Sequence, residues 1–311
     1  MRRRCVSTSA SQPEGDAAMT VSITLSQAIA RHATELKTQG YCLVPDALPA
    51  AAIAALDADL ADDFARTPFG QGHFYGETTK RFGRLLIRSD HARALVQHAL
   101  IVGIVETILS PWCDCIQLNT TQAIAIHPGA PAQLPHRDQD MWRGPVGDIE
   151  YLVNVMWPLT PFTPENGATL IWPRTHGANA LDAEPPEAPL PAEMAPGAAL
   201  LLLGSTLHGA GANITNTVRR GVVVGYALGW LKPYENPWLA YPPAIARTFP
   251  PALAGLVGYR QHRPNLGNYE GQCPSILLGD QSGAPLGAID ALRPDQQAVV
   301  DAHAHDQQAA S

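Results

Sequence analysis

The sequence predicts a mostly β domain with helices added at its N- and C-terminal ends, and three observations carry that prediction. From about residue 115 onward, short apolar or alternating runs follow one another at 116–126, 151–158, 168–173, 198–203 and 221–231, with Gly and Pro punctuating them. Short strands separated by turn residues belong to a sandwich or jelly roll. Helical spacing is confined to segments before and after that stretch. Finally, no internal repeat or strong linker divides the 311 residues, so one large domain accounts for the chain.

The elements follow in order. Residues 1–18 hold Arg2, Arg3 and Arg4, then Ser, Gln, Pro, Glu and Gly, without the apolar stretch of a secretory signal. They read as a disordered extension, and Met19 offers a second plausible start. Residues 26–37 place Ala28, Ile29, Ala33 and Leu36 at helical spacing and stop before Gly40. Residues 41–44 are β-prone, closed by Pro45 and Asp46. A second helical stripe follows, with Ile53, Leu56, Leu60 and Phe64 on one face. Residues 92–109 read as one or two further helices. Within the strand-rich half, 179–196 is rich in Ala, Glu and Pro and reads as an insert loop. Residues 239–257 look helical in pieces. The expected organisation is therefore an extension at 1–18, one domain at 19–293 with its barrel core at about 112–232, and a polar tail at 294–311.

Composition excludes several classes. Hydrophobic residues make up 46 % of the chain, enough for a full core. The net charge is −7 and no basic run stands out beyond the first arginines, which argues against nucleic acid as a partner. Apolar runs such as 197–204 are too short to cross a bilayer. The five cysteines are scattered and odd in number; Cys113 and Cys115 form C-x-C with no second Cys or His pair to complete a site. Reduced thiols and a cytoplasmic location are the expectation.

Two histidines stand out. Leu134-Pro135-His136-Arg137-Asp138 gives H-x-D, and His208 follows Asp138 by 70 residues. On a strand, residues two apart share a face, so His136 and Asp138 would converge on one ion. A third ligand from a distant strand closes one face of an octahedron. Two imidazoles and a carboxylate with open positions opposite suit Fe(II). Eleven residues beyond His208 lies Arg219, at the start of an apolar strand, where a guanidinium can pair bidentately with a dicarboxylate. Alternation sends Arg219 and its neighbour Arg220 to opposite faces, so one of them points inward.

In these residues the chain resembles the phytanoyl-CoA dioxygenase-like branch of the Fe(II)/2-oxoglutarate oxygenases. The resemblance spans roughly residues 26–232. It rests on Gly40-Tyr41-Cys42-Leu43-Val44-Pro45, Pro135-His136-Arg137-Asp138, Asn166-Gly167-Ala168-Thr169, Pro173-Arg174-Thr175-His176, and His208 with Arg219. It implies a double-stranded β-helix, a cupin-like jelly roll of two sheets closing over the metal. It also implies Fe(II), O₂ and 2-oxoglutarate as cofactors and co-substrates. His136, Asp138 and His208 would be the iron ligands, Arg219 the partner of the distal carboxylate, and Gln133 and Thr169 further 2-oxoglutarate contacts. Arg174 and Thr175 stand where the family usually has Gly and Ser. Because Asp138 is present, hydroxylation or another oxidation is implied rather than halogenation, which requires losing that carboxylate.

The primary substrate is expected to be a small molecule, met by Tyr75 and Arg81 from the helical half and by Met141 and Trp142 just after the H-x-D. Two other readings stay open at this point: a non-catalytic cupin-like binding domain, and a zinc hydrolase using the same His, Asp and His.

Overall fold

A computed structural model describes residues 14–181, 188–280, 283 and 285–310. The chain begins with α1 (Glu14–Gln39), β1 (Tyr41–Val44), α2 (Ala50–Asp59), α3 (Ala61–Arg66), β2 (Thr79–Phe82), α4 (Asp90–Val96) and α5 (Ala99–Leu109). The strand-rich half holds β3 (Ile116–Ile126), β4 (Leu152–Pro158), β5 (Thr169–Ile171), β6 (Leu190–Pro191), β7 (Ala199–Leu203), β8 (His208–Ala210) and β9 (Arg219–Leu228). Short helices α6 (Pro237–Ala240), α7 (Pro243–Ala246) and α8 (Pro251–Leu256) follow, and α9 (Pro294–Ala310) comes last.

Two antiparallel sheets result. The major sheet has six strands in the order β1-β7-β4-β9-β3-β2, and the minor sheet has three in the order β6-β5-β8. They remain two separate sheets, with no closed barrel among the described residues. The major sheet is covered on both faces, which explains why β7 is apolar at every position instead of alternating. Its Ala199, Leu201 and Leu203 join the main core with the helices, whereas Leu200 and Leu202 pack with Phe162, Ile171 and Met194 in a second cluster.

The helices form where the sequence gives them one apolar stripe. In α5 the buried residues Ile101, Ile104, Val105 and Ile108 repeat every three or four positions and face the core. The Ser89 side chain caps α4 by accepting the Ala92 N–H at 3.3 Å. Between α1 and β1, Gly40 has φ +83°, and a Cβ there would stand 2.5 Å from Thr206 Oγ1. Only glycine allows this approach, and it matters because Thr206 closes the turn between β7 and β8. Among the described residues no single helix is long and apolar enough to cross a membrane.

Two expectations change and a third gains detail. α1 is helical from Glu14, inside the segment expected to be a disordered extension, while residues 1–13 lie outside the described residues. The expected insert loop at 179–196 contains β6, whose Pro191 pairs with Leu170 of β5; residues 182–187 lie outside the described residues. The polar tail is the helix α9, solvent-exposed along most of its length and carrying His303 and His305.

Candidate metal centre

His136, Asp138 and His208 come together between the sheets, each offering a ligand atom within 4.8 Å of the others. His208 opens β8. His136 lies opposite it in an antiparallel bridge, each residue's N–H donating to the other's carbonyl at 2.9 and 3.0 Å. The two histidines thus sit side by side at the edge of the minor sheet, their rings 4.6 Å apart. Asp138 corrects the expectation that it shares a strand face with His136: it opens a 3-10 turn (Asp138–Met141), not a continuing strand. That turn swings its carboxylate between the imidazoles, with Oδ1 3.5 Å from His136 Nε2 and Oδ2 3.3 Å from His208 Nε2.

The orientation of each ring is fixed from behind. His136 Nδ1 donates to the Leu134 carbonyl at 2.9 Å, and His208 Nδ1 to the Thr206 carbonyl at 3.0 Å. A carbonyl only accepts, so each Nδ1 carries a proton and each Nε2 faces the centre, where a second proton bonds Asp138 and its loss frees a lone pair for a metal. Burial alone would raise the Asp138 carboxyl, but charge on His208 and hydrogen bonds from both rings outweigh it and hold it well below the ordinary carboxylate range. Burial would likewise lower His208, and Asp138 outweighs it and raises it. Asn154 of β4 donates its Nδ2 to Asp138 Oδ2. Sequence reading missed this residue; the available signal was an Asn in the middle of an otherwise apolar strand.

The centre opens into a cavity of about 130 Å³ lined by, among others, Gln133, Thr169, Ile124, Met156, Val223 and Arg219. Arg219 begins β9 opposite Ile126 of β3 and is 2 % exposed. Its Nε and Nη2 have no hydrogen-bond partner, and its guanidinium lies over the Phe162 ring at 3.6 Å. Burial first, then the neighbouring Arg81, press its pKa down. Arg220 takes the other face and pairs with Asp57 of α2. A buried guanidinium without an anion, in the same cavity as three convergent metal donors, fits a dicarboxylate lying between the two.

Gln133 and Thr169 both line this cavity. Thr169 is buried on β5 opposite Ala210, and Gln133 accepts the Ala210 N–H and donates to the Phe74 carbonyl, both at 3.3 Å. Of the four residues expected at the substrate mouth, Tyr75, Arg81 and Met141 line the cavity. Trp142 does not, which corrects its placement. Its indole N–H donates to the Lys232 carbonyl at 2.8 Å and its ring meets Tyr151 edge-on at 6.2 Å. The turn that carries Asp138 inward carries Trp142 away from the centre. Two further aromatics escaped sequence reading because they come from distant loops: Phe74, whose ring lies 5.1 Å from that of His136, and Tyr234, which shares a hydrogen bond with Tyr75.

Comparison with known proteins agrees with this arrangement. The phytanoyl-CoA dioxygenase (PhyH) family matches residues 36–221. The dioxygenase trt7 of Aspergillus terreus is 31 % identical over 236 residues, covering 72 % of this chain and 82 % of that protein. The dioxygenase FrzG of Cladobotryum sp is 34 % identical over 219 residues, covering 65 % and 71 %. Among solved structures, the non-heme alpha ketoglutarate dependent epimerase SnoN from nogalamycin biosynthesis has a TM-score of 0.55 at 20 % identity, over 66 % of this chain and 84 % of its own. HygX from Streptomyces hygroscopicus has a TM-score of 0.52 at 13 % identity, over 66 % and 89 %. Because the family match takes in β1 to the start of β9, including His136, Asp138, His208 and Arg219, the chain belongs to the phytanoyl-CoA dioxygenase family.

Proposed function

We propose that this chain is a non-haem Fe(II)- and 2-oxoglutarate-dependent dioxygenase that hydroxylates or otherwise oxidises a small molecule, releasing succinate and CO₂. Its oxidoreductase class follows from the family and from relatives named as dioxygenases. The observation that carries the finer reading is the pairing, in one cavity, of three convergent donors with a buried guanidinium that has no anion. A non-catalytic cupin-like domain or a zinc hydrolase would leave that guanidinium without a purpose. The solved SnoN complex, similar in fold, is described as holding Fe3+, alpha ketoglutarate and nogalamycin RO, which supports a small-molecule substrate here.

In this reading His136 Nε2, His208 Nε2 and one oxygen of Asp138 hold the iron. When bound, the metal supplies the redox chemistry that couples decarboxylation of 2-oxoglutarate to oxidation of a substrate C–H bond. The protein's own contribution is positional. The Leu134 and Thr206 carbonyls keep both rings in the ligating tautomer, and Asn154 restrains the carboxylate. Arg219 holds the distal carboxylate of the co-substrate through a charge-assisted pair. Ile124, Ile126, Met156 and Val223 keep the cavity wall apolar, which excludes water and strengthens that pair.

Anaerobically purified protein should bind one Fe(II) at the single candidate site among the described residues, and should consume O₂ and form succinate when 2-oxoglutarate is added. His136→Ala and His208→Ala should each lose the iron. Unchanged iron stoichiometry in both variants sinks the assignment.

A further inference from the structure

Three aromatic side chains lead from the candidate metal centre to the surface, and the proposed oxidation uses none of them. Trp142 directly follows the 3-10 turn that Asp138 opens, and its N–H donates to the Gln139 carbonyl at 3.1 Å. Four residues at 3-10 spacing separate the carboxylate from the indole by about 8 Å along the backbone. The Trp142 ring meets Tyr151 edge-on at 6.2 Å, and Tyr151 in turn meets Trp230 edge-on at 6.4 Å. Tyr151 is buried at 2 % exposure. Trp230 is 40 % exposed and lines a surface groove of about 740 Å³ together with Trp112, Arg263 and Arg293.

The polar atoms of these rings suit the passage of charge. Trp142 Nε1 donates to the Lys232 carbonyl at 2.8 Å, the Tyr151 hydroxyl to the Pro145 carbonyl at 2.8 Å, and Trp230 Nε1 to the Trp112 carbonyl at 3.0 Å. A carbonyl dipole steadies the positive charge left when an indole loses an electron, yet it is too weak a base to keep the proton. The phenol proton can slide towards Pro145 as Tyr151 loses an electron and return when the electron is restored. Each ring therefore hands charge on instead of fixing it. Indoles and phenols are, with sulfur, the side chains that give up electrons most readily. Without such an exit the nearest targets are in the cavity itself: Tyr75, and Met141, whose thioether is open to oxidation to the sulfoxide.

We propose that Trp142, Tyr151 and Trp230 form an electron route that discharges the centre when O₂ is activated with no substrate in place. The proposal rests on the Fe(II)/2-oxoglutarate reading, which supplies the oxidant. The oxygen atom not delivered to a substrate leaves as water, which takes two electrons and two protons. The electrons pass inward one at a time, from Trp230 to Tyr151 to Trp142 to the centre, and each ring returns to its starting state. Two molecules of a small thiol meeting Trp230 at the groove supply them, forming one disulfide and releasing two protons, which balances the two consumed. With substrate bound, its C–H bond takes the oxidising equivalents and the route stays idle.

The test maps oxygen adducts by peptide mass spectrometry after protein loaded with Fe(II) and 2-oxoglutarate is exposed to air with catalase, without substrate or thiol. Wild type should carry adducts at Trp230, and added glutathione should remove them. Tyr151→Phe keeps the ring but not the oxidisable phenol. It should lose the Trp230 adduct and gain adducts at Met141 and Tyr75, and Trp142→Phe should do the same. The visible charge-transfer band of the Fe(II)–2-oxo acid chelate, read before air is admitted, reports the co-substrate separately. Its absence in wild type overturns the 2-oxoglutarate reading, whatever the adducts. With the band present, an unmodified Trp230 in wild type overturns the route, and needs no variant to fold. So does a Trp230 adduct that survives in Tyr151→Phe, or one that forms equally with Zn(II) in place of iron, since it then comes from oxidant in solution.

Discussion

Arg219 and Glu150 are both ionisable groups buried short of partners, and each leads to a measurement. For Arg219 the cost of an unpaired buried cation is present whenever the cavity lacks an anion. Arg219→Met should therefore leave the ligand-free protein as stable as wild type or more so, by up to about 4 kcal/mol in urea denaturation. The same variant should lose roughly 2–5 kcal/mol of 2-oxoglutarate affinity, read by calorimetry, while retaining iron. Glu150 sits outside the centre, where its Oε1 accepts the Ser205 hydroxyl and its Oε2 is buried without a partner. Burial pushes its pKa from 4.5 up to about 7. The folded chain thus keeps a proton that the unfolded chain releases, so this group's contribution is complete below pH 4.5 and is lost as pH rises to about 7. The loss amounts to about 3 kcal/mol. Glu150→Gln should match wild type below pH 4.5 and exceed it above pH 7 by up to that amount, measured as unfolding free energy; a pH-independent difference would contradict this account.

At the scale of elements, the turn from Asp138 to Trp142 separates chemistry from packing. Trp142 is half-buried against Tyr151 and held by the Lys232 carbonyl. Trp142→Ala should cost about 2 kcal/mol, less than a fully buried Trp, with turnover per folded molecule unchanged. Impaired coupling at normal stability would return it to the substrate mouth. Arg174 stands at φ +57°, a left-handed conformation that glycine adopts freely, and the family's usual Gly at this turn is explained by it. Arg174→Gly should raise stability by about 1 kcal/mol, seen as a higher melting temperature. These elements also show how far the sequence could be read. β4, β7 and β9 were legible because strands buried on both faces are written as mainly apolar runs, and β3 because its first residues alternate and its last are apolar. β2 (Thr-Lys-Arg-Phe) and β8 (His-Gly-Ala) were not, since nothing local makes them strands; pairing with β3 and β5 does. The ligand trio was legible as residue types and order, but its geometry was not: the Asp138 turn depends on Gln139 N–H donating to the Gly204 carbonyl, a contact 65 residues away in sequence. Trp142 failed for the same reason, its partner lying on Lys232.

Across the whole molecule, the centre ties the sheets together. His136 and His208 belong to the edge of the minor sheet, while Asp138 is held by Asn154 from the middle of the major one. Fe(II) with 2-oxoglutarate should therefore stabilise the entire fold, by about 2.7 kcal/mol at a hundred-fold excess over the dissociation constant, and a chelator should reverse the gain. A melting temperature indifferent to both would contradict that linkage. The strand order has one more consequence, which concerns synthesis. β9 lies between β4 and β3, and these two neighbours touch each other nowhere in the ladder. As the chain leaves the ribosome, β1, β7 and β4 can form one half-sheet and β2 with β3 another, each presenting an open edge to any chaperone nearby. The last strand to emerge joins them, and its first residue is Arg219. In the proposed function, translation thus completes the co-substrate seat and seals both edges in a single event, and a ribosome stalled before residue 219 would hold a chain with all three proposed metal donors and no enzyme.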